Sequence, residues 1–161
     1  MRYWLNIHHP TPIGHKRDKW DQVYLHTMHG NTKLKQIRVG DIAVIYEMDW
    51  EYGCPVQSSN GPIVLQGGRK GITAIVKIHK PAVADPHTFD GNHYGWRFDT
   101  KPVKASTGNQ PLVPLHRLKC AWQARFGSTF NPRFPGGLRE LSPQEWQLVA
   151  GLVGIPPNID C

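Results

Sequence analysis

Residues 39–48, VGDIAVIYEM, decide how this chain is read. A Gly-Asp turn passes directly into Ile42, Ala43, Val44, Ile45 and Tyr46, a short run of β-branched and aromatic residues that predicts a buried strand. Downstream, GITAIVKIHKP (71–81) repeats the pattern and is closed by Pro81. Upstream, RYWLNI (2–7) alternates Tyr3, Leu5 and Ile7 with Trp4 and Asn6 and stops at the prolines of HHPTP, which predicts a third strand.

The remaining segments fill in around these strands. GHKRDKWDQV (14–23) reads as loop, and NTKLKQI (31–37) as one or two amphipathic helical turns capped by Asn31. Residues 49–71 read as a long loop with a small strand at PIVL, and ADPHTFDGNHYG (84–95) as an ordered loop. WRFDTKPVKAS (96–106) predicts a strand with Trp96 and Phe98 on one face and Arg97 and Asp99 on the other. In PLVPLHRLK (111–119), Pro114 limits the leucine spacing to a short turn. SPQEWQLVAGLVG (142–154) predicts a helix, with Ser142 as N-cap, Pro143 at the first position and Glu145 closing a capping box. The sum is an α+β fold around a curved, mostly antiparallel sheet.

Length and composition set the bounds. A chain of 161 residues suits one domain, 1–161, with its core over about 3–153 and a short tail at 154–161. Sixteen Gly and 14 Pro favour short strands and turns over long bundles. Cys54, Cys120 and Cys161 match no paired metal spacing and read as free thiols of a reducing compartment, so a cytoplasmic location is expected. No apolar run reaches membrane-span length, and the opening MRYWLNIHHP lacks a signal-peptide profile.

The net charge of +7 is unevenly distributed. Residues 1–40 carry seven basic and two acidic residues, 41–100 five and seven, and 101–161 seven and three. Basic ends suit a polyanionic partner, whose condensed counterions Lys and Arg displace, although the same charge also serves a solvated surface.

Catalytic and metal signatures are weak. His8, His9, His15, His26 and His29 cluster early, but no cysteine partner has ligand spacing, so solvent-facing or hydrogen-bonded histidines are expected, with no metal and no cofactor. Cys54 and Cys120 lack a nucleophile signature, and GGRKG lacks the spacing of a phosphate-binding loop. Among six tryptophans, Trp146 belongs to the apolar face of the last helix, and Trp4 and Trp122 are expected to pack. Trp20 and Trp50 lie in loops beside charged residues, where a ring either anchors its loop or presents a face to a base.

The ordered set YWLNIHHP, WDQV, VGDIAVIY, GITAIVKI, ADPHTFD, a Trp-led strand, PLHRLK and LSPQEW resembles the EVE domain family over about residues 3–153. The resemblance implies a PUA-like curved β-barrel with flanking helices, related in architecture to YTH domains, and a nucleic-acid reader of modified bases. The family's W-D-x-V falls on Trp20, Asp21 and Val23, its strand-end tyrosine on Tyr46, its loop on Asp85, Pro86, Thr88, Phe89 and Asp90, and its next tryptophan on Trp96. The chain departs where the family has Lys-Ser-Glu-Pro, here Ile7, His8, His9 and Pro10, and where it has Arg-Asn, here Tyr24 and Leu25.

The expected mechanism is binding without catalysis to DNA or RNA. Trp20, Asp21, Tyr46, Trp50 and Trp96 are the candidate pocket, and Lys16, Arg17, Lys19, Lys33 and Arg38 the candidate phosphate contacts. No nuclease motif is present, so cleavage would come from a separate effector. The rival readings are an ASCH-like hydrolase of a modified nucleoside, using Lys19, Asp21, Thr73 and Glu47, and a protein-interaction or regulatory module.

Overall fold

Strand β3 (Ile42–Glu47) is buried along its whole length, and the sheet is built outward from it. The computed structural model describes residues 1–8, 20–26, 33, 35–49, 51–53, 55–89, 92–132 and 137–159. Strand β1 (Tyr3–His8) runs parallel to β3 from Tyr3↔Ile42 to His8↔Glu47, and β6 (Gly71–Ile78) runs antiparallel on the other side. The outer edge of β1 is covered by β10 (Leu138–Leu141), which the sequence reading missed. Strand β8 (Asn92–Ala105) pairs with β6 through residues 100–105 and, nearer its start, with β2 (Gln22–His26) and β7 (Val83–Phe89). The hairpin β4 (Pro55–Ser58) and β5 (Gly61–Val64) attaches to β7, and the two-residue β9 (Val113–Pro114) pairs with the start of β6. Helices α1 (Leu115–Phe126) and α2 (Pro143–Val153) complete a mixed, curved sheet of the expected class.

Period-two alternation buries both faces of the central strands. Leu5, Ile42, Val44, Tyr46, Ile72 and Ile75 pack under the helices against Leu118, Trp122, Trp146 and Val149. Trp4, Ala43, Ile45, Ala74 and Val76 face the other way, against Trp20, Val23 and Phe98. The register between β3 and β6 shifts at Ile45/Tyr46, which is why Ile72 and Ile75, three apart, share a face. Tyr3 stacks on Trp146 with centroids 4.6 Å apart, and α2 carries the predicted capping box at Ser142 and Glu145.

Several segments differ from their sequence reading, among them Gln22–Val23, which open β2, and Pro55–Ser58, which form β4, both expected as loop. Of residues 84–95, expected as loop, 84–89 form most of β7 and 92–95 the start of β8, and Pro86 is accommodated where the β7–β8 register shifts between Ala84 and His87. Pro114 does not shorten the following helix. It stands at the N-cap of the twelve-residue α1 with φ −63°, where a missing N–H costs nothing, and Leu115 N donates to Lys70 O at 3.0 Å. Gly71 makes this approach possible, since a Cβ there would lie 2.3 Å from Val113 O. Trp4, Trp122 and Trp146 are buried as expected.

Two polar devices pin the core. Asp41, in the turn before β3, accepts from Arg2 N at 2.9 Å, Arg38 N at 2.9 Å and Trp4 Nε1 at 3.1 Å. Glu47 and Arg69 form a fully buried ion pair, with Arg69 N, Nε and Nη2 donating at 2.8, 3.0 and 2.8 Å. No helix among the described residues is long and apolar enough to cross a membrane.

Asp41→Ala leaves three donors unpaired, one of them a buried indole, and is expected to cost about 3 kcal/mol in urea unfolding, with Asp41→Asn costing less. Arg69→Met takes the guanidinium away from the buried Glu47 carboxylate and is expected to cost about 3–5 kcal/mol. The double variant Glu47→Leu/Arg69→Met should recover most of that loss, as a double-mutant cycle by urea unfolding would read directly.

Candidate functional site

Trp20 is 3% exposed where the chain turns into β2, and its carbonyl accepts from buried Thr100 Oγ1 at 2.7 Å. Its ring packs in the cluster that includes Trp4, and the His8 ring meets it edge-on, with centroids 5.3 Å apart at 71°. Alternation along β1 puts Trp4, Asn6 and His8 on one face, so Asn6, 2% exposed, lies between two residues of the Trp20 neighbourhood. The ladder also sets Glu47 opposite His8.

The hydrogen bonding of this corner is incomplete. Trp4 Nε1 is satisfied by Asp41, and Trp146 Nε1 donates to Pro157 O at 2.7 Å. Trp20 Nε1 and Asn6 Nδ2 are buried and find no acceptor among the described residues. Each such donor costs about 1–3 kcal/mol against its solvated state, and native proteins leave few of them. Both donors belong to the side of the sheet that carries Trp4.

The four described aromatic and acidic candidates do not converge. Trp20 turns inward while Asp21, the next residue, is exposed, because successive residues of an extended chain point to opposite sides. Tyr46 lies on the helix side of the sheet, opposite to Trp20, and lines a separate cleft. Burial, aided by the negative charge of Asp49, pushes the Tyr46 pKa up to about 12, so its hydroxyl stays protonated and able to donate. Trp96 shares the Phe98 side of β8 and is 36% exposed, which sets it at the outer margin of the Trp20 face. Trp50 lies outside the described residues, as do Lys16, Arg17 and Lys19.

Of the other basic candidates, Lys33 Nζ donates to Leu138 O at 2.9 Å, and Arg38 Nη1 donates to the carbonyls of Lys35 and Ile37. Both are anchored to backbone carbonyls. The residues of the hydrolase reading are also placed: Glu47 is taken up by Arg69, and Thr73 Oγ1 points to Ile45 O at 3.4 Å. Among the described residues no group of three or more His, Cys, Asp or Glu side chains converges as a metal site. The sequence reading did not single out Asn6 as a site residue. Its signal is a lone amide on the buried side of an otherwise aromatic and aliphatic strand.

The fold has known counterparts. The structure of human THYN1 in complex with 5-methylcytosine-containing DNA aligns over 98% of this chain and 100% of its own, at 16% identity and a TM-score of 0.58. A Pseudomonas putida protein aligns over 94% and 99% of the two chains at 17% identity and a TM-score of 0.53. The NMR structure of Rpa0253 from Rhodopseudomonas palustris aligns over 96% and 94% at 18% identity and a TM-score of 0.51. No curated protein matches the chain by sequence. The EVE domain model matches residues 2–152, and with that span the chain belongs to the EVE domain family.

Proposed function

We propose that the chain is a non-enzymatic nucleic-acid reader that takes one modified base of DNA or RNA at the Trp20–Asn6–His8 corner. Membership of the EVE family and likeness to a protein solved with methylcytosine DNA support nucleic-acid binding. The observation that carries the site is the pair of buried, unpaired donors, Trp20 Nε1 and Asn6 Nδ2. A base carbonyl or ring nitrogen reaching them relieves two desolvated groups at once. That gain is absent when the acceptor is absent, which makes the contact selective.

Trp20 therefore acts through its N–H edge and not through an open stacking face, since the ring is covered. Trp96, half-open at the margin, is the residue placed to stack on a base or its neighbour. Lys16, Arg17, Lys19, Lys33 and Arg38 supply the sequence-independent attraction to phosphates, in keeping with the net charge of +7. A methyl-sized modification is then sensed by fit, with discrimination of about 1–3 kcal/mol. Any strand cleavage falls to a separate effector, and the engagement of Glu47 by Arg69 favours binding over hydrolysis.

Trp20→Phe keeps a ring in the core and deletes the unpaired donor. It is expected to weaken binding of a modified oligonucleotide about tenfold while the Tm holds, whereas Trp20→Ala should cost about 3–5 kcal/mol of stability. Unchanged affinity in both Trp20→Phe and Asn6→Leu would remove the donor corner from the reading. Affinity should also fall linearly on a log–log plot against salt, and a flat response in fluorescence anisotropy would remove the phosphate contacts.

A further inference from the structure

Tyr46, separated from Trp20 by the thickness of the sheet, belongs to a different recess. On the helix side, beyond the ends of β1 and β3, lies a cleft of about 760 Å³, within the range of about 300–1,000 Å³ typical of small-molecule sites. Ile7, Tyr46, Met48 and Leu115 form its apolar part, Asp49 and Asn131 add an acceptor and an amide, and Lys70 and Lys119 bring positive charge. A second cavity of about 500 Å³ adjoins it and shares Lys70, Leu115 and Lys119. It adds Arg69, Gln110 and His116, and no carboxylate lines it among the described residues.

Three further features mark the junction. Lys70 has φ +50°, a left-handed conformation that a side-chain-bearing residue rarely adopts, and its carbonyl holds the first N–H of α1. Lys70 Nζ lies 3.0 Å from Asp49 Oδ2, so the Asp49 carboxylate in the larger cleft sits beside one lysine while Lys119 lines both cavities. Helix α1 carries His116, Arg117, Lys119 and Arg125 and no acidic residue. Tyr46, held against Phe130 with centroids 6.1 Å apart, is a fixed wall that stays protonated to strongly alkaline pH.

We infer that this double cleft is a second ligand site, distinct from the Trp20 corner, which binds a nucleotide with its ring over Ile7, Tyr46 and Leu115 and its phosphate between Lys70, His116 and Lys119. The apolar wall and the Asp49 and Asn131 side chains suit a flat heterocycle with polar edges. The carboxylate-free cavity suits the phosphate. A simple anion leaves the larger cleft empty, and an uncharged apolar ligand leaves the lysines without a partner. The nucleotide is either free or one unit of a strand.

The test titrates the full chain with AMP, CMP, GMP and UMP at millimolar concentrations, following backbone amide shifts by NMR and affinity by calorimetry. The expected result is saturable binding of at least one nucleotide, with shifts confined to residues 46–49, 69–70 and 115–119. Lys119→Glu, an exposed change that leaves the core intact, should weaken it about tenfold or more. Tyr46→Phe should weaken it while preserving the Tm, and the matching nucleoside should bind less well than the nucleotide. Competition by a trinucleotide identifies a strand unit as the ligand, and absence of competition identifies a free nucleotide; both sustain the site. Shifts at none of these residues, indifference to Lys119→Glu, or displacement by inorganic phosphate at the same concentration as by nucleotide would overturn it. Trp20→Phe should leave mononucleotide binding intact, so a failure here and a failure of the base-reader site are told apart.

Discussion

Asp41 is the constraint on which the rest of the sheet depends. Its carboxylate gathers the N–H of Arg2 at the start of β1, the N–H of Arg38 in the preceding turn and the indole of Trp4. Those bonds place the beginning of β1 beside the beginning of β3, and Ile42 N donating to Arg2 O at 3.0 Å continues the same junction into the parallel ladder. A parallel pair cannot be joined by a tight turn, so its alignment has to come from somewhere other than loop geometry. Here a turn side chain supplies it. The same carboxylate fixes the Trp4 ring on the face that later receives Trp20.

From that alignment both candidate sites follow. The far ends of β1 and β3 bring Ile7 beside Tyr46 and His8 beside Glu47, and alternation sends the first pair to the helix side and the second to the Trp20 side. Glu47 and Arg69 tie these sides together, because Arg69 lines the smaller cavity while its partner stands across the ladder from His8. The buried ion pair thus holds the start of β6 and, through neighbouring Lys70, the first turn of α1. Ile7 and Tyr46 border one candidate site and His8 the other, so both lie toward the same ends of β1 and β3.

The central strands were legible because IAVIYE and GITAIVKI carry their burial in composition, and α2 because its cap is written in SPQE. The helix α1 was misread because Pro114 looks the same in sequence whether it breaks a helix or precedes one. What decides is the acceptor at Lys70 O, 45 residues before Leu115 and outside any local pattern. Strand β7 escaped for a related reason, since a register shift that tolerates Pro86 is a property of the pairing with β8. The site was legible as a set of aromatic residues and not as an arrangement. Sequence placed Trp20 and Tyr46 in one pocket, but only register reveals that a sheet lies between them.

A donor left unpaired in a buried place is a standing cost that a protein built for stability alone would remove with a nearby carbonyl, as it does for Trp4 and Trp146. Trp20 and Asn6 keep that cost on rigid positions, one beside the β2 start and one within β1. In the proposed reader the rigidity matters, because donors that cannot turn toward water or toward each other discriminate by acceptor position and not by size alone. The departure from the family pattern at His8 then has a physical meaning. In the proposed reader an imidazole set edge-on to Trp20 stands beside those donors, so the choice of ligand would depend on His8 as well as on the tryptophan.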